Sequence, residues 1–308
     1  MPSVDVSIVT WNSASALRTL LESLEVQTLA PASITVVDNA STDTTLAICK
    51  DFPNVRIFSQ SVNTGFAKGH NIGIAQGRSD FVLIVNPDVV LAPTYLEVLM
   101  DFANAMPQLG SCVGVVRRPD GKVDTAGIRV QGNRLVREIT EAPVLPKRIF
   151  GVSGAIALYR REALHAVAVG GQYYDESLFA YKEDVQLAWR LQWANWVAFC
   201  VPAAQATHTR AVGVEAKRSQ RDPHRRYLSY RNHLLLYPTV EGFGTWLPDA
   251  WQIIPTEIFR CLYLLSTDAR VTLRALAAVR KMWHAARTFA KQQHRTVATN
   301  RMRNALQE

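Results

Sequence analysis

The chain has 308 residues, 48% of them hydrophobic, which is enough for one enlarged α/β domain, alone or with a smaller appendage, and excludes a disordered or fibrous chain. Its four cysteines, Cys49, Cys112, Cys200 and Cys261, form no CxxC pair or ladder of short spacings, so neither a disulfide scaffold nor a zinc ribbon is expected. After Ala269, nine basic residues face the single acid Glu308 and carry the entire net charge of +8; the balanced body argues against a nucleic-acid surface and toward a basic attachment tail.

The opening Met1-Pro2-Ser3-Val4-Asp5 lacks the basic start and apolar run of a secretory signal, so a cytoplasmic location is expected. Residues 4–9 form a β-branched run, and Leu17, Leu20, Leu21 and Leu24 recur at helical spacing behind the capping candidates Asn12 and Ser13. Residues 34–37 read as a second strand, Thr42 and Asp43 as caps of the next helix, residues 55–58 as a third strand and residues 81–85 as a fourth. Strands alternating with helices predict a parallel sheet with right-handed crossovers, whose ligands bind beyond the carboxyl ends of the strands.

A helix is expected over 93–105, then a hairpin of residues 111–116 turning at Pro119-Asp120-Gly121. Residues 137–148 read as a mobile loop and 151–159 as a strand. The stretch 246–265 is apolar but broken by Pro248, Asp249, Pro255, Glu257 and Arg260, so no membrane span is expected. Beyond it, Leu276, Val279, Trp283, Ala286 and Phe289 share one helical face, opposite Arg280, His284, Arg287 and Lys291. Such a basic amphipathic helix suits an anionic membrane surface, with docking on its own domain or on a partner subunit as the alternative.

Four constellations are candidates for chemistry. Asp38 ends a strand ahead of Asn39 and Ser41, where it either faces a base or ribose or makes a helix-capping turn. Asn86-Pro87-Asp88 follows the fourth strand, where one carboxylate can bridge magnesium or manganese to a diphosphate, or the proline simply makes a turn. Glu183 and Asp184 open an amphipathic helix continued by Leu187, Trp189, Arg190 and Leu191; one of them is a candidate base, and capping is the competing role. His208 follows the apolar stretch 196–201 and is a candidate metal or phosphate contact, against the commoner uncommitted histidine.

In order, these pieces resemble the large inverting glycosyltransferase family two, which has the GT-A fold, over roughly residues 4–235. The resemblance rests on Val6-Ser7-Ile8-Val9-Thr10-Trp11-Asn12, on Val36-Val37-Asp38-Asn39-Ala40-Ser41-Thr42-Asp43, and on the run from Asn63-Thr64-Gly65-Phe66 to Asn71-Ile72-Gly73. Asn86-Pro87-Asp88 stands where the family has its DxD metal motif. Gly154-Ala155, Asp175-Glu176, Phe179, Tyr181, Glu183-Asp184, Leu187, Arg190 and His208 look like the acceptor side of bacterial rhamnosyltransferase-type members.

The resemblance implies a Rossmann-like, mostly parallel sheet flanked by helices over 1–240, with a nucleotide half (1–110) and an acceptor half (111–240), and a helical, basic extension over 241–308. It implies a nucleotide pocket lined by Thr10, Asn12, Asp38, Asn63, Gly65, Asn71 and Asn86, with Asp38 on the base. Asp88 and His208 would hold Mg²⁺ or Mn²⁺, Asp184 would be the catalytic base, and Glu183 and Gly154 would line the acceptor site. The implied partners are a nucleotide-diphosphate sugar, plausibly dTDP-L-rhamnose, and a saccharide acceptor, plausibly lipid-linked, at the inner membrane face; a homo-oligomer is left open. A UDP-hexose donor and a non-catalytic nucleotide- or saccharide-binding protein are the alternatives.

Three positions depart from the pattern. Asn86 replaces the first acid of DxD, Gln186 stands where an acid often follows the base by two places, and Ala194-Asn195-Trp196 lacks the glycine common before that tryptophan.

Overall fold

The computed structural model describes residues 2–209 and 222–306; residues 210–221 of the expected acceptor half lie outside the described residues. The amino-terminal half alternates strand and helix: β1 (Val4–Thr10), α1 (Ala14–Glu25), β2 (Ser33–Asp38), α2 (Thr45–Lys50), β3 (Val55–Ser59), α3 (Gly65–Ala75), β4 (Phe81–Val85), a short β5 (Val89–Leu91) and α4 (Tyr95–Asn104). Then come β6 (Leu109–Arg117), β7 (Val123–Thr125), β8 (Ile128–Val130), β9 (Val136–Glu138), β10 (Lys147–Ile149), β11 (Ile156–Arg160), α5 (Arg161–Val167), α6 (Glu183–Trp193) and β12 (Val197–His208). Helices α7 (Pro223–Val240), α8 (Phe243–Trp246), α9 (Ala250–Lys291) and α10 (Thr299–Ala305) complete the chain.

The main sheet runs β10-β12-β6-β11-β4-β1-β2-β3. β4, β1, β2 and β3 are parallel, with Val4 opposite Phe81 and Thr10 opposite Asp38. β4 is buried at every position, as a strand covered by helices on both faces must be, and this is why its sequence is continuously apolar. β11 enters antiparallel between β4 and β6, Ile156 pairing with Val85. The later strands are thereby joined to the amino-terminal parallel strands beside the strand that ends in Asn86-Pro87-Asp88. Helix α3 lies very close to β1: a Cβ at Gly69 would stand 2.8 Å from Val9 and one at Gly73 2.2 Å from the Ser7 hydroxyl. Those glycines bring α3 near enough for the loop at its start to reach the sheet rim.

Two expectations need correction. Residues 139–146 form the expected loop, but both ends of the 137–148 stretch are strand: β9 pairs with β8, and β10 pairs with β12 through Lys147 opposite Cys200. The partner strand is distant in sequence, so the local polar composition could not reveal it. Helix α6 is not amphipathic in place; it is buried on nearly all sides because α7 and α10 cover its outer face, with Trp189 and Trp193 packing on Leu236, Val240, Met302 and Leu306.

The basic tail is a single long α9 bent at Asp268, which pairs with Arg226 of α7 over 2.7 Å. Its face carrying Val279 and Ala286 packs on Leu178 and Leu235 of its own domain. Most of the exposed apolar side chains of α9 lie before the bend, at Trp251, Ile254, Ile258, Phe259 and Leu262, and Leu273 and Trp283 are exposed after it. Arg134, buried beside β9, forms ion pairs with Glu241 and Asp249 and so ties this extension to the body. Among the described residues no helix is long and apolar enough to cross a membrane.

Candidate active site

The loops after β1, β2 and β3 are sewn together by side chains. Asp38 is almost wholly buried and accepts from the Thr10 hydroxyl at 3.1 Å and the Ser41 amide at 3.0 Å. Asn12, exposed and held at φ 51°, donates its backbone amide to the Ser41 hydroxyl and accepts from the Thr42 amide. Asn39 accepts from Thr64 and donates to the Gly65 carbonyl, while Asn63 accepts from the Gly65 amide. Left-handed conformations at Asn12, Ala40 and Gly65 concentrate strain on this rim, a distribution common at ligand sites.

Asn71 lies away from the open rim. Its amide exchanges hydrogen bonds with the backbone of Tyr174 at 2.8 Å in both directions and also donates to Glu176. It therefore fastens α3 to the loop that leads into α6.

Asp88 and His208 meet. The end of β12 is antiparallel to β5, with His208 opposite Val89, and His208 Nε2 is 3.1 Å from Asp88 Oδ1. On the other side of the ring, Nδ1 is 2.9 Å from Asp124 Oδ2, a carboxylate that is fully buried and also paired with Arg118. Burial pulls the His208 pKa down, but the hydrogen bonds and charges of Asp124 and Asp88 outweigh it and push the value up to about 9. Asp124 gave no signal in the sequence, because its role depends on a partner 84 residues away.

Among the described residues no group of three or more His, Cys, Asp or Glu side chains could hold a metal ion, but the chemistry of the Asp88–His208 pair suits a divalent ion. A carboxylate oxygen and an imidazole nitrogen face each other, and the carboxylate behind the ring fixes its orientation, as around many metal-binding histidines. Asp88 and His208 would supply two of the ligands of magnesium or manganese, with the donor's diphosphate and water supplying the rest. Asn86 leaves its side chain partly exposed beside them and bonds only through the backbone, its amide donating to the Ala155 carbonyl at 2.8 Å.

That backbone bond leads to the acceptor side. Gly154, next to Ala155, donates its amide to Asp184 Oδ2 at 3.0 Å, and the Asp184 carboxylate also receives the Val185 amide at the start of α6. The adjacent acid faces the other way: Glu183 is buried, and desolvation, aided by the charge of Asp184, raises its pKa well above the carboxylate range. One acid is thus partly open and hydrogen-bonded as a carboxylate, and its neighbour is buried and held neutral.

The residues before α6 adopt left-handed conformations at Phe179 (φ 65°), Tyr181 (φ 72°) and Lys182 (φ 74°). Asn232 of α7, fully buried, holds this segment by donating its amide to the carbonyls of Leu178, Ala180 and Tyr181 at 2.7–2.9 Å. Arg231 adds bonds to Ser177 and Leu178. Neither residue stood out in the sequence. Gln186, the expected place of a further acid, donates to Asp175 Oδ2 at 2.9 Å, where an acid would face Asp175 with like charge.

A mostly parallel sheet that turns antiparallel beside the strand bearing Asn86-Pro87-Asp88 is the architecture of the GT-A glycosyltransferases. Solved structures of this fold superpose on it: S. aureus TarS 1-349 in complex with UDP has a TM-score of 0.57 at 17% identity, covering 99% of this chain and 90% of that one. The mannosyltransferase PcManGT from Pyrobaculum calidifontis, in complex with GDP-Man and Mn²⁺, has a TM-score of 0.57 at 18% identity over 98% and 85% of the two chains. The family described as "Glycosyl transferase family 2" matches residues 5–168. The chain is also 30% identical, over 87% of its length and 95% of the relative's, to the N-acetylglucosaminyl-diphospho-decaprenol L-rhamnosyltransferase of Mycobacterium tuberculosis (strain CDC 1551 / Oshkosh). The chain belongs to glycosyl transferase family 2, and it is a glycosyltransferase.

Proposed function

We propose that this glycosyltransferase acts with inversion, moving L-rhamnose from a dTDP donor to a hydroxyl of a saccharide linked through diphosphate to a polyprenyl lipid, at the inner face of the membrane. The observation that carries the reading is the short path from β4 to α6: Asn86 bonds to Ala155, and the adjoining Gly154 bonds to Asp184. A proton acceptor and a diphosphate-binding edge on one rim are what a single displacement needs. The sugar and the acceptor class come from the mycobacterial relative, whose name states both.

In this reading the acceptor oxygen bonds to the anomeric carbon as that carbon's bond to the diphosphate oxygen breaks, which inverts the centre. The hydroxyl proton passes to the Asp184 carboxylate, and the nucleoside diphosphate leaves with the electron pair. Glu183, kept neutral, shapes the acceptor side with Gly154 and adds no second charge beside the base. Thr10, Asn12, Asp38, Asn63, Gly65, Asn71 and Asn86 form or brace the nucleotide side. Asp88 and His208 would hold Mg²⁺ or Mn²⁺, which supplies charge neutralisation on the departing diphosphate.

Incubation with dTDP-L-rhamnose and a polyprenyl-diphospho-N-acetylglucosamine acceptor tests the assignment, with dTDP release and the mass of the product as readouts. A gain of one deoxyhexose is expected. Turnover with UDP-hexoses in place of dTDP-L-rhamnose replaces the donor, and nucleotide release without a glycosylated lipid replaces the acceptor.

A further inference from the structure

A concave apolar surface lies between the carboxy-terminal helices. Helix α7 and the two arms of the bent α9 enclose a groove of about 1110 Å³, walled by Leu234, Tyr237, Ile254, Ile258 and Trp283. The walls are open to water: Ile254, Ile258 and Trp283 are 46%, 56% and 42% exposed. An apolar trough of this size left solvated is the signature of a binding surface.

Charge narrows the occupant. The two acids in the lining already have partners: Glu257 accepts from His233 and Tyr237, and Glu241 pairs with Arg134. Arg287 and Lys291 stand exposed on the rim. A second copy of this chain would bring the same cationic tail, which holds the whole net charge, against itself. An uncharged apolar peptide would leave the cations without a counterpart. A long apolar chain ending in phosphate satisfies both features.

The groove is also coupled to the acceptor side through one helix. Glu257 anchors to His233, and the next residue back, Asn232, carries the segment that leads into Asp184. We propose that this groove binds the isoprenoid chain of the acceptor lipid, with Arg287 and Lys291 toward its phosphates, so that the chain's anchor and its sugar are held by opposite sides of α7. The identity of the occupant rests on the lipid-linked acceptor proposed above.

The test is binding of farnesyl diphosphate to the full chain without divalent metal, followed by tryptophan fluorescence, since Trp283 is in the wall. Saturable binding is expected, at least tenfold tighter than that of inorganic diphosphate or farnesol. Ile258→Gln, at a half-exposed site, and Ala290→Trp, which narrows the groove, should each weaken it at least tenfold, whereas Val144→Gln on a distant exposed loop should not. With lipid acceptors of increasing chain length, kcat/KM should rise for the unmodified enzyme and stay flat for Ala290→Trp. Absence of saturable binding, equal binding by both groove variants, farnesol binding as tight as the diphosphate, or a dimer that Ile258→Gln dissolves would each overturn the proposal. Because farnesyl diphosphate binding requires neither donor nor base, it can succeed while sugar transfer fails, which would reject the assigned reaction and leave the groove standing.

Discussion

Gly65 and Phe179 touch across the boundary between the two halves of the domain: a Cβ placed on Gly65 would stand 2.5 Å from the Phe179 carbonyl oxygen and 2.6 Å from its ring. The same carbonyl accepts from the Ala67 amide, so the loop that opens α3 and the strained segment that precedes Asp184 form one contact. Gly65 sits at φ +85°, where a side chain is disfavoured even in open space.

Gly65→Ala is therefore expected to separate the halves. The conformational cost alone is about 1–2 kcal/mol, and the clash adds to it. A lower melting temperature together with at least a tenfold loss in kcat/KM is expected from thermal denaturation and steady-state assays. Normal kinetics in a destabilised protein would mean that the contact serves folding alone.

Asp184→Asn should abolish most transfer while donor affinity is kept, because an amide cannot take the acceptor proton. General-base losses run to roughly 10²–10⁴-fold in rate. Isothermal titration with the nucleotide sugar, beside single-turnover rates, separates the two effects. Full-rate transfer by the variant would remove Asp184 from the chemistry.

Glu183→Gln should behave in the opposite way with pH. Because burial raises this carboxyl above its unfolded value, its contribution to stability is complete below the ordinary glutamate range near 4.5 and is lost as pH rises from there through neutrality. The glutamine variant, which has no proton to lose, should gain in melting temperature relative to the parent as pH increases from about 5 to 8. A constant difference across that window would contradict the buried, neutral acid.

His208 gives a metal-linked pH effect. With its pKa at about 9, raised above 6.5, its ion pairs stabilise the metal-free protein fully below pH 6.5, and that contribution is lost as pH rises through 9. A metal bound at Nε2 must displace the proton, so apparent Mn²⁺ affinity should rise by up to about tenfold per pH unit across this interval. Titrations in buffers of different ionisation enthalpy measure the released proton. Asp124→Asn removes one of the charges that raise the pKa and should flatten the slope; an unchanged slope would detach His208 from the ion.

Asn232→Ala leaves the carbonyls of Leu178, Ala180 and Tyr181 without their shared donor. Left-handed non-glycine residues cost on the order of 1–3 kcal/mol each and persist only when held. We expect kcat to fall about tenfold, by one lost hydrogen bond to a buried group, and acceptor KM to rise, with donor affinity intact. A fall in melting temperature with unaltered kcat and KM would assign Asn232 to folding only.

How much was legible follows from the range of each interaction. β1 to β4 and the helices between them stood out because β4 is continuously apolar, β1 and β2 are rich in β-branched residues, and the leucines of α1 recur at helical spacing. The loop read over 137–148 was right for residues 139–146 and missed the strand ends, because β9 and β10 are short polar segments and β10 takes its partner from a distant part of the chain. Helix α6 looked amphipathic because periodicity cannot register that α10, more than a hundred residues later, packs with α7 on Trp189 and Trp193.

Residues 4–91 by themselves determined the parallel strands β1 to β4 and the groups at their carboxyl ends, since side-chain period and β-branched composition mark strands locally. Only the tertiary structure decided that Asp124 stands behind His208, that Glu183 is buried while Asp184 is partly open, and that Asn232 holds the segment that leads into them. Those outcomes depend on desolvation and on pairing between distant elements, and both are properties of the assembled core, absent from any single stretch of chain.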